Sequence, residues 1–335
     1  MYCKNPWKVF KKNLNGTGLN ELGHHRIESM VPHVPCGRCL YCRIRRRSEW
    51  KLRLMMEHDY CGSSRFITLT YNDNNIRTIN YDNEKLPTLK KRDLQNFQKR
   101  VRKYLGSKAV RFYSVGEYGP ITQRPHFHSL VFFRDNLHVT DMGFLDSSWT
   151  TSEEKPIGYL YGTLDERGDE EPGEVNADSI QYVAGYIDKK IYGEMAEEHY
   201  QGRTPEFNTC SQGIGKEWLY DNINTICRTG YINYKGRSYP VPRYFDKKIR
   251  DKLSNYPKKL EVYLRKKMAA RNSRMADYDN NILNELSEMY PDEFMDDVYS
   301  DLHTLRHKQK LSDAQQMDLN LKSHMKIKLD KKRSF

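Results

Sequence analysis

Apolar and polar residues alternate along RFITLTY (residues 65–71): Ile67, Leu69 and Tyr71 fall on one face, Thr68 and Thr70 on the other. A period of two predicts a half-buried strand. In LQNFQKRVRKYLG (94–106) the period lengthens. Leu94, Phe97, Val101 and Leu105 recur at helical spacing, and Gly106 stands where a C-terminal cap belongs. AVRFYSVGEYG and HFHSLVFF predict two further strands. A Gly/Pro-containing loop separates them, which suggests an antiparallel hairpin or near-hairpin.

A second helical pattern is ADSIQYVAGYIDKKIYG (177–193). Ile180, Val183, Ala184, Ile187 and Ile191 form an apolar stripe, and Tyr182, Tyr186 and Lys189 fall together on roughly the opposite face. Asp178 or Ser179 is placed to cap its start. Gly185 costs this helix about 1 kcal/mol relative to alanine, so a need for its small size is expected. Residues 163–178 read as an acidic, Gly/Pro-punctuated loop, and beyond about 246 the chain becomes charged and helical. Three regions follow: a cysteine-containing basic segment (1–62), a mixed α/β domain (63–245) and a charged helical C-terminal extension (246–335).

Composition narrows the partner. The 335 residues hold 56 Lys+Arg against 44 Asp+Glu, a net charge of +12, which suits a polyanion whose counterions the protein displaces. The 24 tyrosines and 12 phenylalanines provide flat side chains on which unpaired bases can stack. The opening MYCKNPWKVFKKN has no apolar stretch long enough for a signal peptide, and no run of about 18 apolar residues suggests a membrane span. Seven cysteines, an odd number in a chain large enough to build its own core, favour a reducing, cytosolic compartment.

Chemistry enters where the periodicity is interrupted. Within RPHFHSLVFF, Phe127, Val131 and Phe133 take one face of the strand, leaving His126 and His128 together on the other. Glu117 ends the preceding strand and comes near both imidazoles if the two strands pair. Such a set can bind a divalent ion that polarises a phosphoryl oxygen. Two strand-end histidines satisfied by hydrogen bonds are the other reading. Tyr182 and Tyr186, about 6 Å apart along one helix, are phenols able to attack phosphorus where positive charge favours the phenolate; an exposed aromatic-basic helix face is the blander alternative. Cys36, Cys39 and Cys42 repeat at every third residue, with Cys3 or Cys61 as a fourth. That spacing suits a structural zinc, and equally suits reduced thiols packed beside a basic helix. Arg43, Arg45, Arg46 and Arg47 follow, a segment for phosphate contact or a solvated helix face.

The ordered set PCGRCLYCRIRRRSEW, FITLTYND, VGEYG, RPHFHSLVF and YVAGYIDKK, spanning about residues 35–190, resembles the HUH endonucleases. It is most similar to the rolling-circle replication initiators of gokushovirus-type microviruses, phages with single-stranded DNA. The resemblance implies an α+β fold: a central antiparallel sheet with flanking helices, related to ferredoxin-like and RNA-recognition architectures, here followed by the helical C-terminal extension. It assigns His126, His128 and Glu117 to a catalytic Mg²⁺ or Mn²⁺, Tyr182 and Tyr186 to the two nucleophiles, and Lys189 to the lysine accompanying them. It favours Cys3 as the fourth ligand of a structural Zn²⁺. The implied partners are single-stranded origin DNA and the host replication polymerase and helicase, with no membrane, in the host cell cytoplasm. A related HUH transposase or relaxase, and a non-catalytic single-stranded nucleic-acid-binding protein, are the alternatives. The first fits less well, because relaxases commonly carry a third motif histidine and a tyrosine near the N-terminus.

Overall fold

The computed structural model describes residues 7–8, 33–34, 37, 40–106, 109–162, 173, 175–189, 191 and 194–289. The chain divides into two units, residues 1–46 with 275–335, and residues 47–274. In the first, two short strands, β1 (Trp7–Lys8) and β2 (His33–Val34), pair antiparallel. The helix α1 (Leu40–His58) carries the basic run read in the sequence.

The second unit contains β3 (Ser63–Tyr71), β4 (Thr78–Tyr81), β5 (Glu84–Pro87), α2 (Lys91–Leu105), β6 (Val110–Tyr118), β7 (Pro125–Phe133), α3 (Phe144–Ser148), β8 (Gly158–Tyr161), α4 (Ala177–Lys189), α5 (Glu194–Tyr200) and β9 (Phe207–Cys210). After these come α6 (Lys216–Thr229), β10 (Ile232–Tyr234), β11 (Arg237–Tyr239), α7 (Arg243–Leu253) and α8 (Pro257–Met289). Five strands form one sheet in the order β8-β3-β7-β6-β9, and every neighbouring pair is antiparallel. The expected α+β class and the β6–β7 pairing both hold.

Strand alternation gives each sheet face its own core. Ile67, Leu69, Tyr71, Phe112, Phe127, Val131 and Phe133 pack on one side against Leu94, Phe97 and Val101 of α2 and against Leu145 and Trp149. Tyr113, Val115, Leu130 and Phe132 pack on the other, against Leu54 of α1 and Ile180, Val183 and Ala184 of α4. A third core joins Leu52 and Met56 of α1 to Trp218, Leu219, Ile223 and Ile226 of α6, Phe245 and Ile249 of α7 and Tyr263 of α8. α1 thus serves two cores from different faces. Gly106 closes α2 with φ +88°, the positive value expected at such an end.

Three readings of the tyrosine helix change. Its cap is Asn176, one position ahead of the helix: its Oδ1 accepts the Asp178 and Ser179 amides, both at 2.9 Å, and Ser179 Oγ accepts the Asn176 amide at 2.9 Å. Asp178 lies inside the first turn, too far along to reach those donors. The helix stops at Lys189, so Ile191 leaves the stripe and packs against the core on the opposite sheet face. Tyr186 does not stand away from the stripe. It is 8% exposed and belongs to the same buried cluster, because the tyrosine row flanks Val183 closely enough to meet the sheet where the helix crosses it. A Cβ on Gly185 would meet nothing within 4 Å, so no packing neighbour requires its small size.

Candidate active site

The site begins with register. β6 and β7 pair so that Glu117 lies opposite His126 and Val115 opposite His128. β7 and β3 pair so that Thr70 lies opposite His126 and Thr68 opposite His128. Opposed residues of antiparallel strands share a face, which puts Glu117, both imidazoles and both threonines on the surface that α4 partly covers. Phe127, between the histidines, faces the other way and is fully buried. Gly116 makes room beneath: a Cβ there would sit 3.1 to 3.2 Å from Leu89, Phe207 and Phe127.

One carboxylate oxygen gathers the group. Glu117 Oε1 lies 2.9 Å from His126 Nε2, 3.0 Å from His128 Nε2 and 2.7 Å from the Tyr186 hydroxyl. Among the described residues, Glu117, His126 and His128 form the one set of three metal-competent side chains, their ligand atoms all within 4.8 Å of one another. Burial by itself would raise the Glu117 carboxyl. Hydrogen bonds from His126, His128 and Tyr186 outweigh it and hold the group well below the usual carboxylate range.

The outer nitrogens are oriented by groups the sequence reading did not name. His126 Nδ1 lies 3.1 Å from the carbonyl oxygen of Arg124 and His128 Nδ1 lies 2.9 Å from Thr68 Oγ1. A carbonyl can only accept, so His126 Nδ1 carries hydrogen. In a neutral ring the Nε2 lone pair then points at the Glu117 carboxylate, an arrangement that needs a proton or a cation between the two acceptors. This donor set fits a divalent cation, with the hydrogen bonds at Nδ1 fixing the ring orientation. Arg124 is itself anchored, donating to the Tyr71 carbonyl at 2.5 Å and to Asp73 at 2.7 Å. The strand alternation of FITLTY carried the signal for Thr68; the Arg124 carbonyl left none.

Both tyrosines reach this centre. The Tyr182 and Tyr186 rings lie 5.1 Å apart and nearly perpendicular, and His128 is 5.4 Å from the first and 5.9 Å from the second. Phe66 stacks on the other side of His128 at 5.5 Å and meets the edge of Tyr182 at 6.2 Å. Tyr182 is 47% exposed, whereas Tyr186 is buried. Desolvation, then the hydrogen bond to Glu117, pushes the Tyr186 phenol well above its usual value. Tyr182 is also raised, chiefly by desolvation and by the nearby Glu117 charge, against a lowering hydrogen bond with Tyr186.

Lys189 is the last residue of α4. Its side chain lies outside the described residues, as do Cys3, Cys36 and Cys39. Cys42 and Arg43 are buried, Arg45 and Arg46 exposed, and Arg47 half-buried, all on α1.

Residues 64–191, which contain every side chain of this site, match the family model of the replication-associated protein ORF2. The chain resembles the replication-associated proteins of microvirus-like phages. It is 28% identical to replication-associated protein VP4 of Bdellovibrio phage phiMH2K over 87% of this chain and 92% of that protein. Replication-associated protein ORF2 of Spiroplasma virus 4 is 29% identical over 64% of this chain and 67% of its own length. Replication-associated protein ORF4 of Chlamydia phage 1 is 26% identical over 69% of this chain and 57% of that protein. The N-terminal nuclease domain of minute virus of mice non-structural protein-1 aligns with 52% of this chain and 83% of its own at 9% identity and a TM-score of 0.20, too remote to inform fold or activity. Among the described residues no helix is long and apolar enough to cross a membrane.

Proposed function

We propose that this protein initiates and ends rolling-circle replication of a small phage genome, nicking and rejoining single-stranded origin DNA through a tyrosine–5′-phosphate intermediate. One observation carries the reading: the Tyr186 hydroxyl and the Nε2 atoms of His126 and His128 converge on a single oxygen of Glu117. Nucleophile and cation donors thus occupy one place.

His126, His128 and Glu117 would hold Mg²⁺ or Mn²⁺, which when bound supplies positive charge favouring a phenolate and offsetting charge on the scissile phosphate. The chain's own part is positional. α4 presents two phenols one turn apart beside the imidazoles, so that either can be brought in line with a phosphate on the same face. In the transfer, a phenolic oxygen loses its proton and bonds to phosphorus, while the 3′-oxygen leaves and is protonated. The 5′ end stays on the protein, and the free 3′-hydroxyl is available to prime the host polymerase. One phosphoester replaces another, so the bond energy is conserved for rejoining. The second tyrosine allows a second cut without release of the first strand. The proposal includes Lys189 beside the phenols, exposed Arg45 and Arg46 with Arg43 and Arg47 along the DNA path, a structural Zn²⁺ at Cys3, Cys36, Cys39 and Cys42, and action with the host helicase in the host cytoplasm.

The test is incubation of the full chain with labelled single-stranded DNA from its origin, with Mn²⁺ or with EDTA, followed by denaturing electrophoresis. A protein–DNA band that forms only with metal, and is absent in the Tyr182→Phe/Tyr186→Phe double variant, is expected. A band retained by the double variant would overturn the assignment of the nucleophiles. Binding without any band would leave a non-catalytic single-strand binder.

A further inference from the structure

The part of the site face that α4 leaves open carries two exposed tyrosines that the proposed chemistry does not use. β8 lies at the sheet edge beside β3, with Tyr159 opposite Thr70 and Tyr161 opposite Thr68. Those threonines lie opposite His126 and His128. One cross-strand row therefore runs Glu117, His126, Thr70, Tyr159, and the next runs His128, Thr68, Tyr161, all on one face. Each tyrosine stands two strand spacings from its imidazole, about 10 Å. Only a threonine lies between, so the floor along each row is low.

The strand is held to this orientation. Gly158 sits so close to β3 that a Cβ would lie 1.7 Å from the Thr70 carbonyl oxygen, and Leu160 packs against the core on the opposite face. Tyr159 and Tyr161 alternate with these two residues and are 58% and 47% exposed. Little burial energy explains two large rings there.

We propose that Tyr159 and Tyr161 form a stacking platform for unpaired bases of the single strand whose phosphate lies at His126, His128 and Glu117. The inference rests on the nicking reading for its ligand and on the strand register for its place. The occupant follows from continuity with that site along the two rows and from the net charge of +12, which favours a polyanion over an apolar partner. Aromatic faces accept any base, so the platform would hold the strand on the metal site without reading its sequence. The tyrosines act as positioning residues; they touch no reacting atom.

The experiment is fluorescence anisotropy of labelled oligothymidylate with the full chain in EDTA, where neither metal nor cleavage takes part. Tyr159→Ala and Tyr161→Ala should each weaken binding roughly five- to hundredfold, the range for loss of one base–aromatic stack. Tyr159→Phe and Tyr161→Phe should bind within about twofold of wild type, because the ring remains. Tyr256→Ala, a 55% exposed ring just ahead of α8, serves as control and should bind unchanged. Unchanged affinity in the Tyr159→Ala/Tyr161→Ala variant overturns the platform, even if the wild type forms its covalent adduct. A weakened variant of a protein that forms no adduct overturns the nicking reading and leaves the platform standing. Unchanged DNA affinity with altered self-association would assign the two rings to a contact with a second copy and overturn the proposal.

Discussion

Tyr186 donates its phenolic hydrogen to Oε1 of Glu117 at 2.7 Å, a contact between residues 69 positions apart in the chain. Tyr182, one helical turn earlier, is 47% exposed. The two candidate nucleophiles therefore differ in what holds them. Tyr186→Phe removes a hydrogen bond to a buried carboxylate and should destabilise the metal-free protein by about 1.5–3 kcal/mol. Tyr182→Phe should change stability by less than about 0.5 kcal/mol. Urea unfolding in EDTA distinguishes them; equal effects would mean that the Glu117 contact carries no weight.

Thr68 is expected to act on the metal site without touching the ion. Its hydroxyl lies 2.9 Å from His128 Nδ1, the position of an outer partner that sets ring orientation. Thr68→Val keeps the side-chain volume and should lower Mn²⁺ affinity by roughly 10- to 100-fold. Calorimetric titration of the purified variant measures this directly, and a change below about threefold would assign the hydroxyl to the strand alone.

Gly185 is the one position in α4 where a larger residue should help folding. Its Cβ would meet nothing within 4 Å, and helical glycine is worse than alanine by about 0.5–1 kcal/mol. Gly185→Ala should raise the melting temperature. A simultaneous drop in single-strand binding would show that the open space beside Tyr186 is occupied by DNA.

Acid sensitivity should appear in the third core. Asp246 accepts the Tyr263 hydroxyl at 2.6 Å, Lys267 Nζ at 2.6 Å and Arg250 Nε at 2.9 Å. Burial works to raise its pKa, but these partners outweigh it and hold it below the usual aspartate value. A carboxyl with a depressed folded pKa contributes stability that is complete above the unfolded value, near 3.9, and is lost as pH falls through the folded one. Asp246→Asn should melt lower than wild type at pH 7 and lose less as pH drops below about 4. Melting curves across that range test it; parallel curves for the two proteins would count against the linkage.

Much of the fold could be read from periodicity because each pattern is local. Ile67, Leu69 and Tyr71 alternate with threonines, and the structure buries all three. Gly106 ends α2 with the expected positive φ. The pairing of VGEYG with RPHFHS was foreseeable for the same reason: a short loop joins two strand patterns, which brings Glu117 opposite His126. The tyrosine helix was less legible. Helical angles place Tyr186 beside the apolar stripe, but how far it rolls towards the sheet depends on packing against Tyr113, Val115 and Leu130. Asn176 was missed as the cap because it lies outside the periodic segment.

By itself the sequence determined which residue types share a face: two histidines on one side of β7, phenylalanines on the other, and two tyrosines one turn apart. These follow from backbone repeats of two and 3.6 residues, which need no partner. Only the tertiary structure decided which faces meet. It laid α4 so that Tyr186 reaches Glu117 while Tyr182 stays open, set Thr68 behind His128, and ran β8 beside β3 so that Tyr159 and Tyr161 extend the rows of the site. Strand order and helix docking are fixed by contacts between residues far apart in the chain, where no local repeat records which neighbour will be chosen.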